Sequence, residues 1–227
     1  MVVDTQHEIR PSSTAVVLRD TPSGLEVLLL RRHQQLQVGG GHWVFPGGTV
    51  DPDDVVDAKG DRMTAFHLAA VRETEEEAQI KLDQDGLQLI AWWTTPPSIK
   101  RRYETAFFIA DCPGQQVVVD GEEADDYLWS PPGELLRAHR RGELALMPPT
   151  LVTLTELADC ATVAQARAFY ARRPVPNIHP RIADANGVVC MLYGGDAGYD
   201  SSDPGVNGAR NRCYLEDGSW RYEFVAP

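Results

Sequence analysis

The run Phe66 to Ile80 (FHLAAVRETEEEAQI) contains neither glycine nor proline, yet it carries Glu73, Glu75, Glu76 and Glu77 within five positions. It predicts a helix, with Thr64 as a plausible N-cap. On that helix Glu73, Glu76 and Glu77 share one face, because positions three and four apart are neighbours, and like charges so placed repel by a few tenths of a kcal/mol per pair. Arg72 offsets part of this by pairing with Glu76 at i, i+4. Glu75 points to the other side, toward solvent, while Val71, Thr74 and Ala78 lie together on a face that can sit close against a sheet. A carboxylate stripe of this kind calls for a neutralising partner. Oxygen-only ligands suit a hard divalent cation, and Mg²⁺ in particular is held by a few carboxylates together with waters and substrate phosphates. The helix therefore points to phosphate chemistry.

The chain has 227 residues and a formal net charge of -12. Its length fits one domain with an elaboration or two small ones. The acidic balance argues against a nucleic-acid or anionic-membrane footprint, since those need basic surface. Cys112, Cys160, Cys190 and Cys213 form no CxxC pair and read as reduced thiols, with no zinc site. The amino-terminal stretch lacks the pattern of a signal peptide, and no stretch reaches the roughly 18 consecutive apolar residues of a membrane helix. A cytoplasmic protein is expected.

Thr14 to Arg19 and Leu25 to Arg31 read as a hairpin around Asp20 to Gly24. A polar loop leads to the short strand His42 to Phe45, which ends at Pro46-Gly47-Gly48, where glycine permits close backbone approach. Asp51 to Arg62 is a charged insertion. Beyond the acidic helix, Leu87 to Trp93, Arg102 to Ala110 and Gln115 to Val119 read as strands, followed by an acidic loop at 121–126, a short strand at 127–129 and a helix opened by Pro131-Pro132. One long helix is expected between Pro149 and Arg172, then short strands at 188–193, 212–216 and 219–224. Strands mixed with helices indicate a layered α/β domain. His67 and His139 show no ligand spacing and are read as structural.

Gly48 followed by Arg72-Glu73-Thr74-Glu75-Glu76-Glu77-Ala78-Gln79-Ile80 resembles the signature of the Nudix hydrolases: glycine, five residues, glutamate, seven residues, then Arg-Glu-aliphatic-x-Glu-Glu-x-Gly-aliphatic. The similarity extends through the preceding VLLLRR strand, the Phe45-Pro46-Gly47-Gly48 turn and the later WSPPGELL segment, covering roughly residues 14–145. Two departures accompany the match. Ten extra residues separate Gly48 from Arg72, so that Asp54, Asp57 or Asp61 takes the place of the signature's first glutamate. Gln79 replaces its closing glycine, which lets the helix run on or imposes a left-handed conformation costing about 1 kcal/mol.

The resemblance implies an α/β/α sandwich with a mixed sheet, with a Nudix core at 1–145 and, at 146–227, a packed extension of a long helix and short strands. It implies hydrolysis of a nucleoside diphosphate linked to another group, dependent on Mg²⁺ or Mn²⁺. Glu76 and Glu77 would be metal ligands, and Glu73 a ligand or the acceptor of the nucleophile's proton. Arg72 would orient Glu73 or Glu76. A further acid is expected from the loop after the sheet, where Glu123 is preferred over Glu122. Gly48, Arg31 and Arg101 are candidates for substrate contact, the arginines as phosphate binders. The insertion, Arg31-Arg32 and the phrase Thr95 to Phe108 are similar to a subgroup that includes peroxisomal coenzyme A diphosphatases. Coenzyme A or acyl-coenzyme A is therefore the leading substrate, with ADP-ribose, NADH and nucleotide sugars behind. A non-catalytic nucleotide sensor is the alternative of another class. The extension would serve homodimerisation or substrate coverage.

Overall fold

The computed structural model describes residues 9–36, 39–112 and 114–226. Its frame is a mixed sheet with the path β3-β2-β1-β6-β5-β8. Strands β1 (Ile9–Thr21) and β2 (Gly24–Arg32) form the expected hairpin, and β3 is Trp43–Val44. Strands β5 (Gln88–Thr94) and β6 (Arg102–Asp111) form a second hairpin, and β8 is Asn177–Ile178. The two hairpins join through β1 and β6, which run parallel from Ile9↔Arg102 to Leu18↔Asp111. Off this path, β4 (Gly47–Thr49) pairs with β1 and β7 (Ala124–Ser130) pairs with β2.

Strand alternation gives the sheet two apolar faces. Ala15, Val17, Leu28, Leu30, Ala106 and Phe108 point to one side, where helix α2 (Arg62–Ala78) lies with Phe66, Ala70 and Ala78 against them. Thr74 is fully buried on this helix face and Val71 packs at its margin, as the sequence indicated. Val16, Leu18, Val27, Leu29, Phe107 and Ile109 point to the other side. That side is covered by helices α3 (Pro132–Arg140), α4 (Pro148–Leu157) and α5 (Val163–Ala171).

Helix α2 begins earlier than predicted, because Asp61 rather than Thr64 caps it by accepting from the Met63 and Thr64 N–H groups. It ends at Gln79, which adopts the left-handed conformation with φ 55° and donates its N–H to the Glu75 carbonyl. Inside the charged insertion, Pro52–Asp57 forms the short helix α1.

Two expectations fail. No strand forms at 115–119; Val118 N–H goes to the Ala78 carbonyl and the Gln115 amide brackets Lys81, so this segment clamps the end of α2 instead of joining a sheet. Nor is there one long helix between Pro149 and Arg172. The chain breaks after α4 and restarts at Thr162, whose hydroxyl accepts from Gln165 N–H while Asp20 accepts from Val163 N–H. The second cap comes from the β1–β2 turn, so it is a tertiary contact, and the break turns Val163, Ala166 and Tyr170 into the core.

The remaining strands, β9 (Arg181–Ala185), β10 (Val188–Leu192), β11 (Arg210–Glu216) and β12 (Ser219–Val225), make a separate antiparallel sheet in the order β12-β11-β10-β9. Tyr193, Cys213, Trp220 and Tyr222 dock it on the face opposite α2. His139 of α3 reinforces the join, its ring nitrogens lying 2.8 Å from the Leu144 carbonyl and 2.6 Å from that of Trp220. The long loop between β10 and β11 is anchored by Arg212 and Asp196, whose side chains are 1% and 0% exposed. The four cysteines are unpaired, and no described helix is long and apolar enough to cross a membrane.

Removing one member of a buried ion pair leaves the other without compensation, which costs about 3–5 kcal/mol. Arg212→Met is expected to destabilise the protein by that order in urea unfolding, because the Asp196 carboxylate then keeps only backbone donors, the N–H groups of Gly198 and Asn211.

Candidate functional site

Strand β4 is paired residue by residue with β1, Ser12↔Thr49, Ser13↔Gly48 and Thr14↔Gly47, which presses the Gly47-Gly48 backbone against α2. Both glycines are required sterically. A Cβ on Gly47 would run into the Ser13 carbonyl and the Thr14 backbone, and one on Gly48 would lie 2.5 Å from both Glu73 oxygens. Two carboxylates occupy the space so released. Glu73 packs over Gly48, and Glu77 Oε2 accepts the Gly47 N–H at 2.9 Å.

Arg72 ties this turn to the insertion and the helix. Its Nη2 donates to Asp54 Oδ2 at 2.9 Å and to the Thr49 carbonyl at 2.9 Å, and its Nη1 donates to Glu73 Oε1 at 2.9 Å and Glu76 Oε2 at 3.0 Å. Asp54 is buried and also accepts the Asp51 N–H that opens α1. Of the three acids left open by the sequence, Asp54 is therefore the one that meets Arg72; Asp57 is exposed and Asp61 is spent on the cap of α2.

Desolvation dominates the electrostatics. Burial pushes Glu77 up to about 8; the charges of Glu73 and Glu123 push the same way, and the Gly47 N–H and the charge of Arg32 oppose it. Glu73 is also raised, first by burial and then by Glu76 and Glu123, against the pull of Arg72. Arg72 is held firmly protonated, chiefly by Asp54.

Glu123 is exposed in the loop before β7, close enough for its charge to act on both Glu73 and Glu77. Glu76 sits at the exposed edge against Arg72, and Glu75 turns away to Lys81 at 3.3 Å. Arg31 points to the face opposite α2, beside its cross-strand neighbour Trp43, and is engaged by Asp125 at 2.6 Å and Asp126 at 3.6 Å. The next residue, Arg32, has its charge on the Glu77 side. Sequence reading missed it because Val27 to Leu30, just before the arginines, is apolar at every position and so gives no alternation from which to assign faces. Arg101 is exposed in the β5–β6 connection, and no described ion pair links it to the carboxylates.

Among the described residues, no three His, Cys, Asp or Glu side chains close around an ion unaided. The donor chemistry nevertheless fits a hard divalent cation. The available atoms are carboxylate oxygens, two of the carboxylates are desolvated with too little positive charge to match, and Mg²⁺ completes its shell with waters and phosphate oxygens.

A family model described as NUDIX domain matches residues 9–148. Among solved structures, the chain is similar to a NUDIX hydrolase from Alicyclobacillus acidocaldarius, at 28% identity and TM-score 0.62, over 71% of this chain and 96% of that one. It shares the fold of the NUDIX domain of Shewanella oneidensis NrtR, complexed with ADP ribose, at 17% identity and TM-score 0.51, over 71% of this chain and 88% of that one. No curated protein matches.

A carboxyl group whose folded-state pKa is raised contributes stability that is full below its unfolded value and is lost as pH rises through the folded one. For Glu77 that window runs from the ordinary carboxylate range to about 8. Thermal unfolding of the metal-free protein should show wild type losing stability across this window relative to Glu77→Gln, by a few kcal/mol at most on the order of 1.4 kcal/mol per pKa unit. Mg²⁺ should reverse the loss. Gly48→Ala is expected to cost about 1–3 kcal/mol by overpacking, read by the same unfolding, because the new methyl group must displace Glu73.

Proposed function

The chain belongs to the Nudix family of pyrophosphate hydrolases, and from that premise we propose that it cuts the diphosphate of coenzyme A or an acyl-coenzyme A. The substrate reading is supported by the insertion between Gly48 and Arg72, by Arg31-Arg32 and by the phrase Thr95 to Phe108. The observation that carries the hydrolytic reading is the pinning of Glu73 and Glu77 against the bare Gly47-Gly48 backbone. A side-chain stripe that served only solubility would have no reason to be desolvated.

In this reading Glu76 and Glu77 hold Mg²⁺ or Mn²⁺, with Glu73 contributing an oxygen or taking the proton of the attacking water. A bound divalent cation supplies Lewis-acid stabilisation of charge on the diphosphate. Glu73 has the environment of a base, since its burial raises its proton affinity. Arg72, engaged by Asp54, the Thr49 carbonyl, Glu73 and Glu76, fixes the orientation of Glu73 and leaves little of its charge for substrate. Glu123, exposed in the loop before β7 with its charge acting on both members of the pair, serves as a further ligand or base. Arg32, rather than Arg31, gathers the phosphates, because its charge lies on the carboxylate side of the sheet.

Purified protein incubated with Mg²⁺ and a panel of coenzyme A, acyl-coenzyme A, NADH, ADP-ribose and nucleoside triphosphates tests the substrate. Preferential cleavage of the coenzyme A compounds at the diphosphate is expected; a clear preference for ADP-ribose or NADH replaces this reading with the second. Glu76→Gln and Glu77→Gln should each lower metal-dependent turnover by roughly 10²–10³-fold, the scale of losing one transition-state electrostatic contact. Arg32→Ala should raise KM while Arg31→Ala leaves it near wild type.

A further inference from the structure

Ser13 has a fully buried side chain whose Oγ meets no hydrogen-bond partner. A buried hydroxyl left unsatisfied costs about 1–3 kcal/mol, so its position asks for a reason. Ser13 is the cross-strand partner of Gly48. Paired residues on antiparallel strands project to the same face, with Cβ atoms about 4.5–5.5 Å apart. The direction in which Gly48 would project a Cβ leads straight to both Glu73 oxygens, at 2.5 Å. Ser13 Oγ therefore lies on the same side of the sheet, one strand over, and Glu73 is the charged acceptor that this pairing brings to that side. Ala15 and Ala106, its neighbours on that face along β1 and across to β6, offer no polar side chain. Glu73 itself is held at Oε1 by Arg72, which leaves its other oxygen for a second donor.

We propose that Ser13 is a positioning residue for Glu73: its Oγ–H is the donor that takes the carboxylate as it turns from Arg72 into the cleft. This rests on the reading of Glu73 as part of the hydrolytic site. The hydroxyl touches neither substrate nor reacting atoms. It works by holding one orientation of a desolvated carboxylate that otherwise has a single strong partner, and the unsatisfied state is the cost of keeping a donor waiting.

Mn²⁺ binding, followed by loss of the free-ion EPR signal, and urea unfolding of the metal-free protein test this together. Ser13→Ala removes only the oxygen. It should leave the metal-free protein as stable as wild type or more so, weaken Mn²⁺ binding about tenfold, as expected for losing a hydrogen bond to a charged group, and lower kcat with KM unchanged. Unaltered Mn²⁺ affinity overturns the proposal, as does a loss of affinity accompanied by an equal loss of stability, which marks a merely structural hydroxyl. If wild type itself binds no Mn²⁺, the reading of the site fails and the proposal with it, an outcome visible before any variant is made.

Discussion

The site depends on one guanidinium. Arg72 reaches the inserted helix through Asp54, the glycine turn through the Thr49 carbonyl, and its own helix through Glu73 and Glu76. Three segments distant in sequence or direction thus share a single planar, permanently charged hub, and the fork geometry of arginine lets it serve them at once where a lysine could not. Asp54, slightly more buried than Glu73, gives the hub its strongest partner.

Holding these carboxylates out of water opposes folding. Glu77 has a backbone N–H and the charge of Arg32 to set against burial, and burial prevails, so its pKa is raised. The sheet compensates elsewhere, with a continuous ten-residue parallel pairing of β1 and β6 and apolar layers on both faces. A rigid platform is needed if an unfavourable arrangement of charge is to persist without relaxing. The docked carboxyl-terminal sheet adds to that platform on the face away from α2, with His139 joining α3 to β12.

Much of this was legible in the sequence for a local reason. The 3.6-residue period placed Glu73 and Glu77 on one stripe and Thr74 and Ala78 on the packed face, and the glycine pair marked the turn. What escaped depended on contacts between remote residues. The break between α4 and α5 needs Asp20 from another turn, and the 115–119 segment looks like a strand by composition but finds its partners at the end of α2. Faces cannot be assigned along the apolar run Val27 to Leu30, so the sequence does not show that Arg32, next to the candidate Arg31, has its charge acting on Glu77. Asp54 could not be separated from Asp57 and Asp61 by spacing once the insertion had erased the register.

That insertion shows how the two halves of the motif are joined. The stretch from Ala58 to Gly60 links α1 to α2 as an exposed turn apart from the buried Ala58 side chain, while the glycine half and the acidic half are welded through Asp54 and Arg72 in space. Chain continuity between them carries no geometric information. Length can accumulate at that turn over evolutionary time, or be grafted there by design, with the reactive geometry left to an ion pair that does not register how far the polypeptide has travelled in between.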